Sequence, residues 1–424
     1  MGIGIGQDDR ASRPRVSADR LWRTLEEYAR DGATAAGGVD RPVFSAADAE
    51  ARRRFVADCR ALGLETRVDA AANVVATRPG AGPLPAILIG SHLDSVPDGG
   101  RYDGALGVLC ALEAMRALVA HGAPTHHPVS IVSLTGEEAT SFGTSTFGSR
   151  ALAGRLPDVA DNVLPDGRAV GAALREAGGD WERLSSARED LGPLAAFLEV
   201  HIEQGMRLEA AGRPLAVVSS VNGIYRQRIV FEGEAGHAGT TPMAGRRDAL
   251  RAAARCLLAV AGLPAAAAAA DPSATATVGF LEVAPNSPNV IPGAATLVTD
   301  LRSADPALLA ALARDAAAAA KDAATAEGVR AEVATTLDQA PILFDSSLRE
   351  MMQGVVGRLG GADRELASGA GHDAVHLAAL APAGMLFVRC AGGLSHRPDE
   401  SVTREDAALA AQALLDTVLA LDSL

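Results

Sequence analysis

The sequence predicts an α/β fold, a mostly parallel mixed sheet flanked by helices and interrupted by an inserted α+β domain. Three observations carry this prediction. Short apolar runs alternate with helical patterns from residue 65 to residue 134, the order expected of a sheet covered by helices on both faces. Several of these runs end in glycine-rich loops bearing histidines and carboxylates, and open α/β sheets bind ligands outside the carboxyl ends of their strands. Near Gly223 the texture changes, and about 110 residues read as four strands and two helices, enough for a self-contained unit. A chain of 424 residues exceeds what one core usually holds, so two domains are expected. The boundaries expected are 1–220 and 337–424 for the first domain and 221–336 for the insert.

Residues 1–15 are rich in Gly and Arg and are expected to be mobile. From Val16 to Asp31, Leu21, Leu25 and Tyr28 recur at helical spacing. Ser45 caps a second helix running to Leu62. Glu65–Asp69 and Asn73–Thr77 read as a pair of strands. Ala86–Ile89 is a buried strand that delivers His92 and Asp94, and Gly104 opens an apolar helix to about Ala120. Val129–Leu134 is a strand closed by Gly136-Glu137-Glu138. Residues 150–190 form a polar, partly helical excursion, and Ala195–Gly205 is a further strand with its polar end.

Within the insert, Tyr225–Gly233, Thr275–Val283, Ala295–Arg302 and a segment around Val333 are strands, and Arg246–Leu263 and Pro306–Gly328 are helices. The alanine run at 265–270 precedes Asp-Pro and reads as loop, whereas that at 316–320 is strong helix former. After Gln339 the first domain resumes with a helix at Ser347–Leu359. A glycine-rich loop, Ser368–Asp373, leads into a helix through Leu380, and Gly384–Arg389 is a strand. Thr403 caps the last helix, with Asp406 in the capping-box position.

The totals exclude some functions. A net charge of −13 with a pI near 5.2 argues against a nucleic-acid surface. No uninterrupted apolar run reaches the ~18 residues of a membrane span, and the first residues lack a signal-peptide core. Cys59, Cys110, Cys256 and Cys390 are widely spaced and form no CxxC, so they read as small apolar residues in a reducing cytoplasm.

Chemistry concentrates at the strand ends. His92 and Asp94 lie two apart in extended chain and share a face. His92 is a metal ligand in this reading, Asp94 orients its ring, and Asp103 bridges two ions. His92 and His201 are assigned to one ion and Glu138 and His396 to the other. Imidazole and carboxylate ligands without thiolate suit Zn²⁺, and equally Mn²⁺, Co²⁺ or Ni²⁺. Two such ions hold a bridging water and lower its pKa toward neutrality. Glu137, beside Glu138, is then the general base and later the acid for a leaving nitrogen. Alone, Glu137-Glu138 fits a solvated turn better; the rest of the set argues for a site. His121, His126 and His127 read as surface residues, His376 as structural, and His372 as shaping its loop with no third ligand near it.

The residues His92-Leu-Asp94, Tyr102-Asp103-Gly104, Gly136-Glu137-Glu138, His201-Ile-Glu-Gln204-Gly, Gly236-His237-Ala-Gly-Thr-Thr-Pro-Met and Ser395-His396 resemble the di-zinc aminoacylase/carboxypeptidase superfamily. Within it, HIEQG and GHAGTTPM resemble the hydantoinase/carbamoylase amidase branch, which includes N-carbamoyl-L-amino acid hydrolases, allantoate amidohydrolases and beta-ureidopropionases. The resemblance covers roughly residues 16–420. It implies the metal assignment above and a di-zinc exopeptidase-like catalytic domain in two parts. It also implies that the insert is a lid and dimerisation domain of a homodimer. By motif match, His237, Asn289 and Arg302 reach the substrate when the lid closes, from the same or the partner subunit. His237 and Asn289 suit an oxyanion, Arg302 a substrate carboxylate, and Gln204 the ureido group.

This sequence departs from the branch at two places. Many relatives carry Glu-Glu-Gly-x-Arg-Phe where this chain has Glu137-Glu138-Ala139-Thr140-Ser141-Phe142, without the arginine. The Gln-Arg-Arg common at the lid entrance is shifted in Tyr225-Arg226-Gln227-Arg228. The expectation is cleavage of the ureido C–N bond of an N-carbamoyl-L-amino acid, with allantoate next and N-carbamoyl-beta-alanine third. A peptidase or deacylase of the wider superfamily, or a binding protein on the same fold, ranks below these.

Overall fold

The computed structural model describes residues 13–122, 124–138, 140–267 and 270–424. The Gly- and Arg-rich start, Ala139 and part of the first alanine run lie outside the described residues. Two compact units are present. One comprises the chain through Ser219 together with Phe344–Leu366 and His372–Leu424, and the other Ser220–Leu343 with Ala367–Gly371.

In the first unit, strands run in the order Glu65–Val68, Val74–Arg78, Val129–Leu134, Ala86–His92, Leu194–Ile202, Ala383–Val388, Leu215–Val221. The four strands from Val129–Leu134 to Ala383–Val388 are parallel to one another. Pairing turns antiparallel on both flanks, so the sheet is mixed around a parallel centre. Every residue of Val129–Leu134 is buried, as suits a strand covered on both faces. The helix Ala105–His121 is the core's main helix; it buries Leu106, Leu109, Leu112 and Met115 and ends at Gly122 in the left-handed conformation. The caps read from sequence are formed. Ser45 Oγ accepts the Asp48 N–H at 3.1 Å and Thr403 Oγ1 that of Asp406 at 3.0 Å.

The helix after the 368–373 loop is shorter than expected, Ala374–Leu377 instead of through Leu380. The amides of Ala379 and Leu380 bond three residues back, to His376 and Leu377, and this tightening turns the chain toward the Ala383–Val388 strand.

The second unit is a four-stranded antiparallel sheet in the order Arg330–Gln339, Gly223–Glu232, Ala294–Ser303, Thr275–Ala284. Ala252, Cys256 and Val260 of one helix and Leu309, Leu312, Ala316 and Ala320 of the other form its core with Ile229, Phe231 and Leu297. The last strand pairs through Gln339 with Ile224, and Ile342–Leu343 pairs with Val221 and Ser220. A boundary at 336 thus cuts a continuous ladder, and the unit ends at Leu343.

The Ala249–Ala267 helix takes up the start of the first alanine run, which is not loop there. Residues 249–266 are also long and apolar enough to cross a membrane by length and composition, although Arg251 and Arg255 interrupt the apolar run. The helix is amphipathic, however: Arg251 and Arg255 pair with Glu327, and the Ala252–Cys256 face packs in the unit's core.

Candidate metal centre

The parallel centre of the first sheet places the polar residues at one edge. His92 ends its strand opposite Leu134, and His201 lies opposite Phe387 near the end of the next parallel pair. Loops leaving these strand ends then supply Asp103, Glu137, Glu138 and His396. Gly104, at φ 62°, lets the Asp103 loop pass over His92; a Cβ there would overlap the imidazole ring.

Among the described residues, three ligand-like groups result: His92, Asp103 and His201; Asp103, Glu138 and His396; and Glu199, His201 and His372. Asp103 joins the first two through separate oxygens. Its Oδ1 lies 3.1 Å from His201 Nε2 and 3.8 Å from His92 Nε2, and its Oδ2 lies 3.4 Å from His396 Nε2. His396 Nε2 is also 3.4 Å from Glu138 Oε1. All five residues expected to hold metal therefore converge, with both histidines of the first group on one oxygen of Asp103.

The donor set fits divalent cations. His92 Nδ1 faces the backbone carbonyl of Asp94 at 3.0 Å, which leaves Nε2 with its lone pair outward. That Nε2 is buried and has no hydrogen-bond partner. Glu137 Oε2 stands 3.9 Å from the same atom. Three carboxylates, Asp103, Glu137 and Glu138, share this space, and burying like charges costs several kcal/mol each without a counter-charge.

In the protein alone, histidines supply that counter-charge. Burial pushes Asp103 up, but His201, His396 and His92 outweigh it and hold the carboxyl well below its usual range. Hydrogen bonds to Asp103 and Glu138 raise His396 to about 10. Burial lowers His201, but Asp103 and Glu199 raise it further, to about 9. Glu137 is driven well up, first by burial and then by Glu138, Asp373 and Asp103.

Asp94 acts on two fronts. Its carbonyl faces His92, while its carboxylate, 3.6 Å from the ring, accepts the amides of Glu137 and Glu138. Gln204, expected to hold substrate, donates from Nε2 to Asp103 Oδ2 at 2.8 Å and leaves Oε1 buried without a partner. Glu203 caps the helix that follows, accepting the amides of Arg207 and Leu208.

Sequence reasoning missed the third group. His372 does have ligand-like neighbours: its ring lies 4.5 Å from that of His201, and Glu199 is in the same cluster. Glu199 accepts the Ser91 hydroxyl at 2.8 Å and the Ala374 amide at 2.9 Å. The signal was its place two residues before His201, on the same face of the strand. His376 is structural, with Nε2 3.0 Å from Thr146 Oγ1.

His237, Asn289 and Arg302 belong to the second unit. A two-residue ladder pairs His237 with Val290, beside Asn289, and the Ala238 amide bonds the Asn289 carbonyl. His237 Nδ1 accepts the amides of Gly239 and Thr240 at 3.0 and 3.1 Å, so the ring proton is on Nε2. Arg302 forks onto Asp300 at 2.7 and 3.3 Å and donates to the Gly369 carbonyl. It lines a groove of about 460 Å³ with Thr275 and Thr277.

Residues 88–420 match the family described as Peptidase family M20/M25/M40. The chain belongs to this family. The M20 family is metal-dependent, and the three groups above could hold metal ions. This M20 chain is 37% identical over 405 residues to an N-carbamoyl-L-amino acid amidohydrolase of Geobacillus stearothermophilus, spanning 95% of this chain and 98% of that one. It is 34% identical over 401 residues to an allantoate amidohydrolase of Bacillus subtilis, spanning 92% and 95%. Among solved structures, a hydantoinase/carbamoylase family amidase from Burkholderia multivorans superposes with a TM-score of 0.89 at 35% identity, covering 97% of this chain and 99% of that one.

Proposed function

We propose that this M20 chain is an amidohydrolase that cleaves the ureido C–N bond of an N-carbamoyl-L-amino acid, giving the amino acid, ammonia and carbon dioxide. The observation that carries the reading is Glu137. Its carboxylate faces His92 Nε2 inside the ligand set without belonging to any of the three ligand groups, and burial raises its proton affinity.

Two divalent ions, Zn²⁺ or Mn²⁺, Co²⁺ or Ni²⁺, would be held by His92, His201, Glu138, His396 and Asp103, and would supply Lewis acidity. Glu137 takes the proton of the attacking water on its carboxylate and passes it to the leaving nitrogen. Asp94 keeps Glu137 and Glu138 in place through their amides. Gln204 offers its unpartnered Oε1 to a ureido N–H. His237 donates from Nε2, and Asn289 from its amide, to the developing oxyanion. Arg302 binds the substrate carboxylate, which competes with Asp300 for the guanidinium. The released carbamate decays to ammonia and carbon dioxide.

Allantoate is the second reading, supported by the Bacillus subtilis relative at nearly the same identity and coverage. Exposed Leu258, Phe280 and Leu281 on the second unit support a homodimer formed through this lid unit. Four free, buried cysteines suit a reducing cytoplasm. Ammonia release from the metal-loaded protein, assayed with carbamoyl-amino acids, allantoate and carbamoyl-beta-alanine, tests the reading. Turnover of none of them sinks it.

A further inference from the structure

Glu400 is a buried carboxylate beside the ligand set that the ligand assignment does not use. Glu400 is 3% exposed and belongs to none of the ligand groups. Its Oε1 accepts two consecutive amides, Tyr102 at 2.8 Å and Asp103 at 3.0 Å. Its Oε2 lies 3.1 Å from Ser395 Oγ. Ser395 in turn lies 2.6 Å from Asp103 Oδ2, as donor, and 3.3 Å from Gln204 Nε2. One side chain thus ties the loop that brings Asp103 to the loop that brings His396. The fit is close: a Cβ on Gly100 would fall inside the Glu400 carboxyl group.

Backbone conformation gives an independent observation. His396 has φ 58° and Gln204 φ 56°, both left-handed and neither glycine. Such strained residues persist where surrounding bonds over-determine them. Gln204 is bonded directly to Asp103 and Ser395, and His396 follows Ser395 in the chain.

We propose that Glu400 is a positioning residue for the metal centre, locking the Asp103 and His396 loops together so that the Asp103–Glu138–His396 group can form. This rests on the two-ion reading above. Glu400 acts only through the Tyr102 and Asp103 amides and through Ser395. His201 comes from a different strand and does not depend on the clamp. Losing Glu400 therefore weakens the ion at Glu138 and His396 more than the ion at His92 and His201.

The test is Zn²⁺ binding to the metal-stripped full chain, by competition with a chromogenic chelator, for wild type, Glu400→Ala, Glu400→Gln and Ser395→Ala. Glu400→Ala is expected to weaken the Glu138–His396 site at least ~10-fold, the scale for partners that orient a ligand, and the His92–His201 site, which shares Asp103 but not the His396 loop, by less. Glu400→Gln retains an oxygen for the two amides and is expected to recover most of that loss. Wild-type affinity at both sites in Glu400→Ala overturns the proposal and leaves the two-ion reading standing. Equal losses in the Ala and Gln variants also overturn it. A wild-type chain that binds one Zn²⁺ overturns both. If Glu400→Ala does not fold, Ser395→Ala decides: it cuts the bridge to Asp103 and must weaken one site, and unchanged affinity there sinks the proposal.

Discussion

Asp94 accepts the backbone N–H of Glu138 at 3.1 Å and, through its other oxygen, that of Glu137 at 3.2 Å. A residue just past one strand thereby fixes the turn at the end of the next. Asp94→Ala leaves both amides without their acceptor and frees the turn. Zn²⁺ affinity is expected to fall about 10–100-fold, with Asp94→Asn, which keeps one oxygen, in between. A Zn²⁺ titration of the stripped variants checks this.

Glu137 belongs to none of the three ligand groups. Glu137→Gln keeps its shape and removes its proton-accepting oxygen. Metal content is expected to stay at the wild-type level while turnover falls at least ~100-fold, the scale of general-base removal. Full turnover in this variant takes Glu137 out of the mechanism.

Arg302 is half of a fork with Asp300 and lines a groove. Arg302→Ala should raise KM for carboxylate substrates about 10–100-fold, matching a lost charged contact of about 1.5–3 kcal/mol. kcat should change little. Unchanged KM would assign the carboxylate to another group.

Zn²⁺ should stabilise the fold by pairing with the crowded carboxylates. At a free concentration of 100 times Kd, one site adds about 2.7 kcal/mol. Melting curves with chelator and with added Zn²⁺ measure it, and Asp103→Asn, which alters both ligand groups, should show a smaller shift.

Away from the site, Glu113 is fully buried and accepts the Ser17 amide and two bonds from Arg20. Arg20→Ala leaves that carboxylate with the Ser17 amide and with Arg116 4.0 Å away. A loss of about 2 kcal/mol in urea unfolding is expected, below the ~3–5 kcal/mol for breaking a fully buried pair, since the Arg20 side chain is 39% exposed and water replaces part of the bond.

The sequence was legible where one local signal carried the outcome. Ser45 and Thr403 announced their helices because a cap is a contact within three residues. The gathering of His92, Asp103, Glu138, His201 and His396 was legible because strand ends in a parallel sheet point to one edge. Contacts from afar were not. Nothing in the sequence around Pro398-Asp399 marks Glu400, and only the fold shows it holding amides nearly 300 positions earlier. Nothing local reveals that the Gln204 amide is bonded to Asp103. The short helix after Asp373 and the ladder running through Gln339 were set by tertiary context that periodicity does not carry.

His92 and His396 stand roughly 300 residues apart, with the whole second unit between them. The Ala383–Val388 strand, which slots in beside Leu194–Ile202, leads to the loop of the final ligand. His396 is therefore the last made of the five candidate ligands, and it follows the strand that closes beside Leu194–Ile202. Gathering these five side chains accordingly waits on long-range sheet closure, the slow kind of contact in folding.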